Sequence, residues 1–225
     1  MGFSFASRTT GVTVPHWTGG RPGCRCGYPI RHGERRLHEV FRQALGSAHA
    51  LLGNVAAGDT ARAAIVASYY DNVLRFLRVH HDSEDELVWP KLLERCPTQA
   101  PLISGMISEH HNIHVALDKA ASSVSDWATS TEPAGARGLA SALAGLGEKL
   151  VPHLDEEEEA ILPPCSEHLT IEEWGEMPGH ALAHYGGDKI WLILGLLRRH
   201  MTQTQRGAML EHMPPPARDM WINRG

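Results

Sequence analysis

The sequence has little cysteine and no long apolar run. Only four of its 225 residues are cysteines, and they form neither a CxxC motif nor a dense disulfide framework, which is typical of a reducing compartment. No segment approaches the roughly 20 apolar residues that span a bilayer, since the longest candidate covers residues 190–197. We therefore expect a soluble, cytoplasmic protein without a membrane partner.

Positive charge is also scarce. The formal net charge is -5 and the sequence pI is near 6.3, whereas a chain that binds a phosphate backbone carries a basic patch. We therefore expect no nucleic-acid partner. Histidine is the exception to this sparse composition, because the chain has 15 histidines. Such a number reflects either metal ligation or ordinary scatter, and the spacing has to decide between them.

The histidines follow a repeated pattern. A histidine, a long gap and a His-x-x-x-Glu step before a proline occur twice, with offsets of 72 or 73 residues between equivalent positions. The two copies are His38, His80, Glu84 and Pro90, then His110, His153, Glu157 and Pro163. This spacing predicts a duplicated helical hairpin, which gives four helices.

Apolar residues recur at three and four positions in each predicted helix, as in an amphipathic helix. The helices are expected at about 34–55, 60–95, 100–128 and from the turn at 129–133 to Pro163. Short connections favour an all-α, up-down-up-down four-helix bundle. We assign residues 1–33 to a flexible arm, 34–166 to the bundle and 167–225 to an extension of short helices packed on it. Within the arm, Cys24-x-Cys26 is only a weak zinc candidate.

A rise of about 1.5 Å per residue brings one set of side chains to the same level of the bundle. The set comprises His38, His80, Glu84, His110, His114, His153 and Glu157. A single His-x-x-x-Glu is most often a solvated pair, but the repeat and the matching levels predict a metal centre. Two first-row ions bridged by Glu84 and Glu157 would use this set. Iron is the leading candidate, and manganese and zinc remain open.

Other histidines receive other interpretations. His81 and His111 are next to predicted ligands but should point about 100° away around the helix, so we expect them at the surface or behind a ligand. His49 is predicted to be a core histidine, and His180 and His184 are predicted to be structural. The acidic runs around Glu84 and Glu157 otherwise resemble solvated faces.

Residues 34–165 resemble the hemerythrin family, in particular the hemerythrin-like HHE proteins common in actinobacteria. The likeness rests on His38-x-x-Phe-Arg, His80-His-x-x-Glu-Asp-x-x-x-Trp-Pro, Glu109-His110 and His153-x-x-x-Glu-x-x-x-x-Leu-Pro. It implies two non-haem iron ions with an oxo or hydroxo bridge. By this resemblance His110, His114 and His153 serve one iron, His38 and His80 serve the other, and Glu84 and Glu157 bridge them. Oxygen-carrying hemerythrins place the last carboxylate five residues after its histidine, which leaves Glu158 as a rival to Glu157.

The first functional hypothesis is a di-iron protein that binds O2 or reacts with peroxide or nitric oxide. A catalase-like, peroxide-decomposing activity and a nitric-oxide-handling activity are both open. The alternative is an iron- or oxygen-sensing module without turnover, in which metal binding changes a contact with a protein partner. A metal-free scaffold is disfavoured because it would bury imidazoles and carboxylates without compensation.

Overall fold

The computed structural model describes residues 27–187, 189–212 and 215–224. Regular structure within these ranges is helical. The α-helices are α1 Gly27–Gly46, α2 Ala48–Gly53, α3 Thr60–Ser83, α4 Trp89–Arg95, α5 Ala100–Ser130, α6 Pro133–Glu156, α7 Leu162–His168, α8 Ile171–Trp174, α9 Glu176–His184, α10 Ile190–Arg199, α11 Gln203–His212 and α12 Pro215–Arg224. Helix α1 thus begins seven residues before its expected start at residue 34. The cysteines of the weak zinc candidate lie outside the described residues.

Four of these helices form the bundle. Helix α1 packs against α3 and α6, and α5 packs against the same two helices. Their inward positions are apolar at three- and four-residue spacing, as in Leu139, Leu143, Leu146 and Leu150 of α6, all of which are fully buried. Burying each such side chain contributes about 1.5–3 kcal/mol. The predicted all-α helical bundle is confirmed.

Local chemistry sets the helix ends where the sequence indicates them. Asp59 caps α3, because its side chain accepts a hydrogen bond from the Arg62 backbone N–H at 2.9 Å. The preceding Gly58 has φ +80°, a left-handed conformation that glycine adopts without a steric penalty. Pro133 occupies the first position of α6, where a missing N–H costs no helical hydrogen bond.

Two π-helical turns interrupt the bundle at equivalent places. One covers Glu84–Val88 between α3 and α4, and the other covers Glu157–Ile161 between α6 and α7. In each, the residue after the turn donates its N–H to the carbonyl five residues earlier. A proline follows at Pro90 and Pro163, where its ring would clash with the carbonyl four residues before it in a regular helix. The wider turn relieves that clash directly after Glu84 and Glu157.

Two apolar clusters occupy different levels of the bundle. The larger includes Phe41, Leu77, Leu117 and Leu150. The smaller includes Val88, Trp89, Met106, Ile161 and Leu162. Along the chain, each central histidine lies between a residue of the first cluster and a residue of the second: His80 between Leu77 and Val88, His110 between Ile113 and Met106, and His153 between Leu150 and Ile161. The level of the predicted ligands is therefore enclosed by apolar side chains on both sides.

The C-terminal helices pack on the bundle. Helices α9 and α10 both contact α3. The buried Tyr185 hydroxyl donates to Asn72 Oδ1 at 2.5 Å, and the Tyr185 ring packs edge-on against Phe76. Helix α8 begins with a capping box formed by Thr170 and Glu173. No helix in the described ranges is long and apolar enough to cross a membrane.

We predict that Glu173→Ala loosens this extension. Glu173 pairs with both Arg95 guanidinium nitrogens at 2.6 and 2.7 Å and completes the capping box, so its loss should lower the free energy of unfolding by about 1 kcal/mol. Its hydrogen bonds to Arg95 lower the pKa of Glu173 from 4.5 to about 2. The stabilisation is therefore present above about pH 4.5 and is lost as the pH falls towards 2.

Chemical denaturation at pH 7 and at pH 3 measures this effect. Glu172→Ala is the matched control, because Glu172 is exposed on the same helix. Equal destabilisation by both substitutions would contradict the role of Glu173.

Candidate metal centre

The centre of the bundle is lined by ionisable side chains that are almost fully buried. They comprise Glu34, His38, His80, His81, Glu84, His110, His153 and Glu157, each at most 5% exposed. They come from α1, α3, α5, α6 and the first residues of the two π-helical turns. All predicted ligands except His114 belong to this set.

The first group of ligand atoms consists of Glu34, His38, His80 and Glu84. One potential ligand atom from each lies within 4.8 Å of all the others. The His38 and His80 rings meet edge to face at 5.5 Å between centroids, and Phe41 packs on His80 from the apolar side. This group offers two nitrogens and two carboxylate oxygens to one ion.

The second group consists of His81, His110 and His153, again with ligand atoms within 4.8 Å of one another. The Nε2 atoms of His110 and His153 face each other at 3.2 Å. His81 stacks on the His110 ring with centroids 4.2 Å apart and an interplanar angle of 15°. This group offers three nitrogens.

Two carboxylates lie between the groups. Glu84 Oε1 is 3.5 Å from His80 Nε2, while its other oxygen is 3.6 Å from His110 Nε2. Glu157 Oε2 is 3.5 Å from His38 Nε2 and 3.9 Å from His153 Nε2. Each carboxylate thus faces one histidine of either group, which is the arrangement a bridging ligand requires.

Three further carboxylates hold imidazoles from behind. The Nδ1–H groups of His38, His110 and His153 donate to Glu158, Asp85 and Glu109 at 2.9, 2.8 and 2.8 Å. A carboxylate at Nδ1 fixes the tautomer and directs the Nε2 lone pair to the opposite side, as in carboxylate–histidine–metal triads. From the sequence, Asp85 was assigned to a solvated face, Glu158 was a rival to Glu157 as the bridge, and Glu109 appeared only in the family motif.

Eight inward atoms of the centre have no hydrogen-bond partner among the described residues. They are Glu34 Oε1, His38 Nε2, His80 Nε2, both ring nitrogens of His81, both oxygens of Glu84 and Glu157 Oε2. A buried polar atom without a partner costs about 1–3 kcal/mol, and more if it is charged. Such convergent nitrogen and oxygen atoms fit divalent first-row ions, so the donor set is suited to metal.

Burial and neighbouring charges raise the pKa values of some of these groups and lower those of others. Burial lowers the pKa of His38, but the Glu157 charge and the hydrogen bond to Glu158 outweigh it and raise the value to about 10. Burial, with His110 nearby, lowers the pKa of His153 to about 3. Burial and the Glu157 charge raise the pKa of Glu84. Protons therefore compete with a metal ion for some of these atoms.

The structure corrects the expected positions of His81 and His49, and it places His114 outside both groups. His81 is fully buried in the second group rather than at the surface, because α3 is enclosed by α1 on one side and α5 on the other. His114 belongs to neither group. Its ring is stacked 5.7 Å from His81, and its Nε2 lies 3.9 Å from Asp82. His49, expected in the core, is exposed.

Glu34 was missed by the sequence analysis. It lies four residues before His38, so Glu34-x-x-x-His38 has the same one-turn spacing as the two His-x-x-x-Glu steps but in the reverse order. That spacing is the signal that could have identified it.

Fold and site together define a helical-bundle protein with a buried histidine and carboxylate centre suited to cations. Residues 31–165 match the family model described as the hemerythrin HHE cation binding domain. Since this match covers more than half of the chain, the protein belongs to the hemerythrin HHE cation-binding family. Comparisons with curated proteins and with solved structures find no match.

We predict that His81, rather than His114, contributes to metal retention. His81→Ala removes one of three converging imidazoles and should lower metal affinity by more than about tenfold, on the scale of other ligand-sphere losses. His114→Ala is the control and should retain the wild-type metal content. Elemental analysis after dialysis against a weak chelator measures the difference. Loss of metal in His114→Ala with retention in His81→Ala would reverse the assignment.

Proposed function

We propose that this protein holds two iron ions in the buried centre and uses them to bind O2 or to react with peroxide or nitric oxide. The observation that supports this most directly is the set of unpartnered nitrogen and oxygen atoms that converge from α1, α3 and the two π-helical turns. The first group of ligand atoms would hold one ion and the second group the other. The carboxylates of Glu84 and Glu157 would be shared between the two ions.

The surrounding residues supply the conditions for such chemistry. Paired iron ions supply two electrons to O2 or exchange them with peroxide. The carboxylates of Glu158, Asp85 and Glu109 keep three imidazoles oriented, and they raise the basicity of the nitrogens that face inward. Trp89 packs against His110 and Phe41 packs against His80. These rings exclude water and lower the local dielectric, which strengthens the electrostatic interactions within the site.

The assignment of the bridges gives a sharp test. We expect Glu84→Ala and Glu157→Ala each to remove most of the iron, because each carboxylate faces both groups. Glu158→Ala should keep a larger fraction, with affinity reduced by about 10–100-fold, since it orients His38 without entering the centre. Iron per chain and the ultraviolet-visible spectrum, before and after peroxide, are the measurements.

Zinc in place of iron, much less iron than two ions per chain, or a spectrum that ignores peroxide would contradict the redox proposal. Equal iron loss from the Glu157 and Glu158 substitutions would contradict the bridge assignment. Glu159→Ala provides the matched control within the same acidic run, because Glu159 is exposed and belongs to neither group of candidate ligands.

A second candidate, a metal-dependent sensor, is favoured by one contact. The His180 ring of α9 forms hydrogen bonds with Ser83 Oγ at 2.8 Å and with the Glu86 carboxylate at 3.0 Å. The C-terminal extension therefore contacts residues on both sides of Glu84 in the sequence. Metal binding at Glu84 can therefore be transmitted to α9. A sensor would show a large metal-dependent change in helicity with little turnover. A carrier or enzyme would keep its helicity and react with its small molecule.

A further inference from the structure

Glu34 has no acidic counterpart in the second half of the duplicated bundle. The duplicated halves match at His38 and His110 with an offset of 72 residues, and at Glu84 and Glu157 with an offset of 73. The residue equivalent to Glu34 is Met106, a buried apolar side chain. The first half therefore adds a carboxylate where the second half has a member of the small apolar cluster.

Glu34 is held over the first group by its own helix. Its side chain is 5% exposed, and the same helix places His38 one turn later. The neighbouring Arg31 donates from Nε to Ser166 Oγ at 3.3 Å, which fastens this turn of α1 to α7. The carboxylate is therefore directed into the bundle rather than towards solvent.

Two roles can be considered for this carboxylate. It could orient His80 from behind, as other acids orient their histidines, or it could face the metal itself. Glu34 Oε1 lies 3.4 Å from His80 Nδ1, well beyond the 2.8–2.9 Å of the three orienting contacts. The same oxygen lies 3.6 Å from the inward His38 Nε2 and makes no hydrogen bond. This geometry favours a ligand.

We propose that Glu34 is a ligand of the first metal position and closes it to external molecules. The inference rests on the proposed function. A metal ion held by two histidines and one carboxylate keeps coordination positions open for a small molecule. Here these three ligands would be His38, His80 and Glu84. Glu157 and Glu34 add two more oxygens to this side of the centre. A small anion then binds only in molecules whose Glu34 carboxylate has moved away.

The closure predicts a measurable loss of affinity. If Glu34 occupies its position in about nine of ten molecules, the apparent affinity for a competing anion falls about tenfold, because only the open fraction binds. Azide is a suitable probe, since its binding to ferric iron gives a visible charge-transfer band. The iron-loaded full-length protein is titrated with azide, and iron per chain is measured in the same samples.

Two substitutions separate the ligand role from the alternatives. Glu34→Gln keeps the side-chain length and an oxygen that can accept from His80 Nδ1, but it removes the charge. Glu34→Asp keeps the charge but withdraws the carboxylate by one methylene. Closure by Glu34 predicts that both variants bind azide about tenfold more tightly than wild type. Glu39→Gln, a partly exposed position on the same helix, should behave as wild type.

Several outcomes would overturn the proposal. A gain in Glu34→Gln alone would show that charge, not ligation, governs azide binding. Unchanged azide affinity in both variants at full iron content would show that Glu34 only orients His80. Loss of iron from both folded variants would show that Glu34 is required to retain the metal, which contradicts a carboxylate that can move away while the ion remains. A wild-type protein that never acquires iron would instead refute the proposed function, so the two failures are distinguishable.

Discussion

Burying imidazoles and carboxylates without hydrogen-bond partners is the constraint on which this structure depends. Eight ionisable side chains occupy the centre, and several of their inward atoms are unpaired. In a low-dielectric interior each such atom destabilises the fold unless another group compensates for it. Removing one residue of the set leaves its neighbours uncompensated. The helices, their apolar clusters and the acids behind the histidines all serve to keep these atoms converging on one place.

The two halves of the bundle share most residues of the centre, and they differ at a few equivalent positions. In both halves the acid that follows the central carboxylate holds a histidine from the other half. Asp85 follows Glu84 and holds His110, and Glu158 follows Glu157 and holds His38. The two halves differ at His81, because the equivalent residue of the second half is the buried, apolar Leu154. The two groups of candidate ligands therefore differ, with more carboxylate in the first and more imidazole in the second.

The sequence alone predicted the helices well because their signals are local. Apolar periodicity, Asp59 as a cap and the prolines at helix starts act within a few residues. Spacing and repetition pointed to six of the eight ionisable residues that line the buried centre. The inward position of His81 was not predicted, because a helical wheel assigns one inner face to a helix. Helix α3 is instead buried against α1 and α5 on different sides. The pairing of Glu109 with His153 depends on how two helices approach each other, which no local pattern encodes.

The negative charge of Glu34 bears on the chemistry proposed for the centre. Ferric ions carry more positive charge than ferrous ions, and the apolar layers on both sides offer little solvent to screen it. If Glu34 is a ligand as proposed, its carboxylate would partly neutralise that excess and so would stabilise the oxidised centre more than the reduced one. Reversible O2 binding needs a reduced centre with an open position. Peroxide would have to displace the same carboxylate, so a ligating Glu34 would weigh against reversible oxygen carriage without favouring the binding of peroxide.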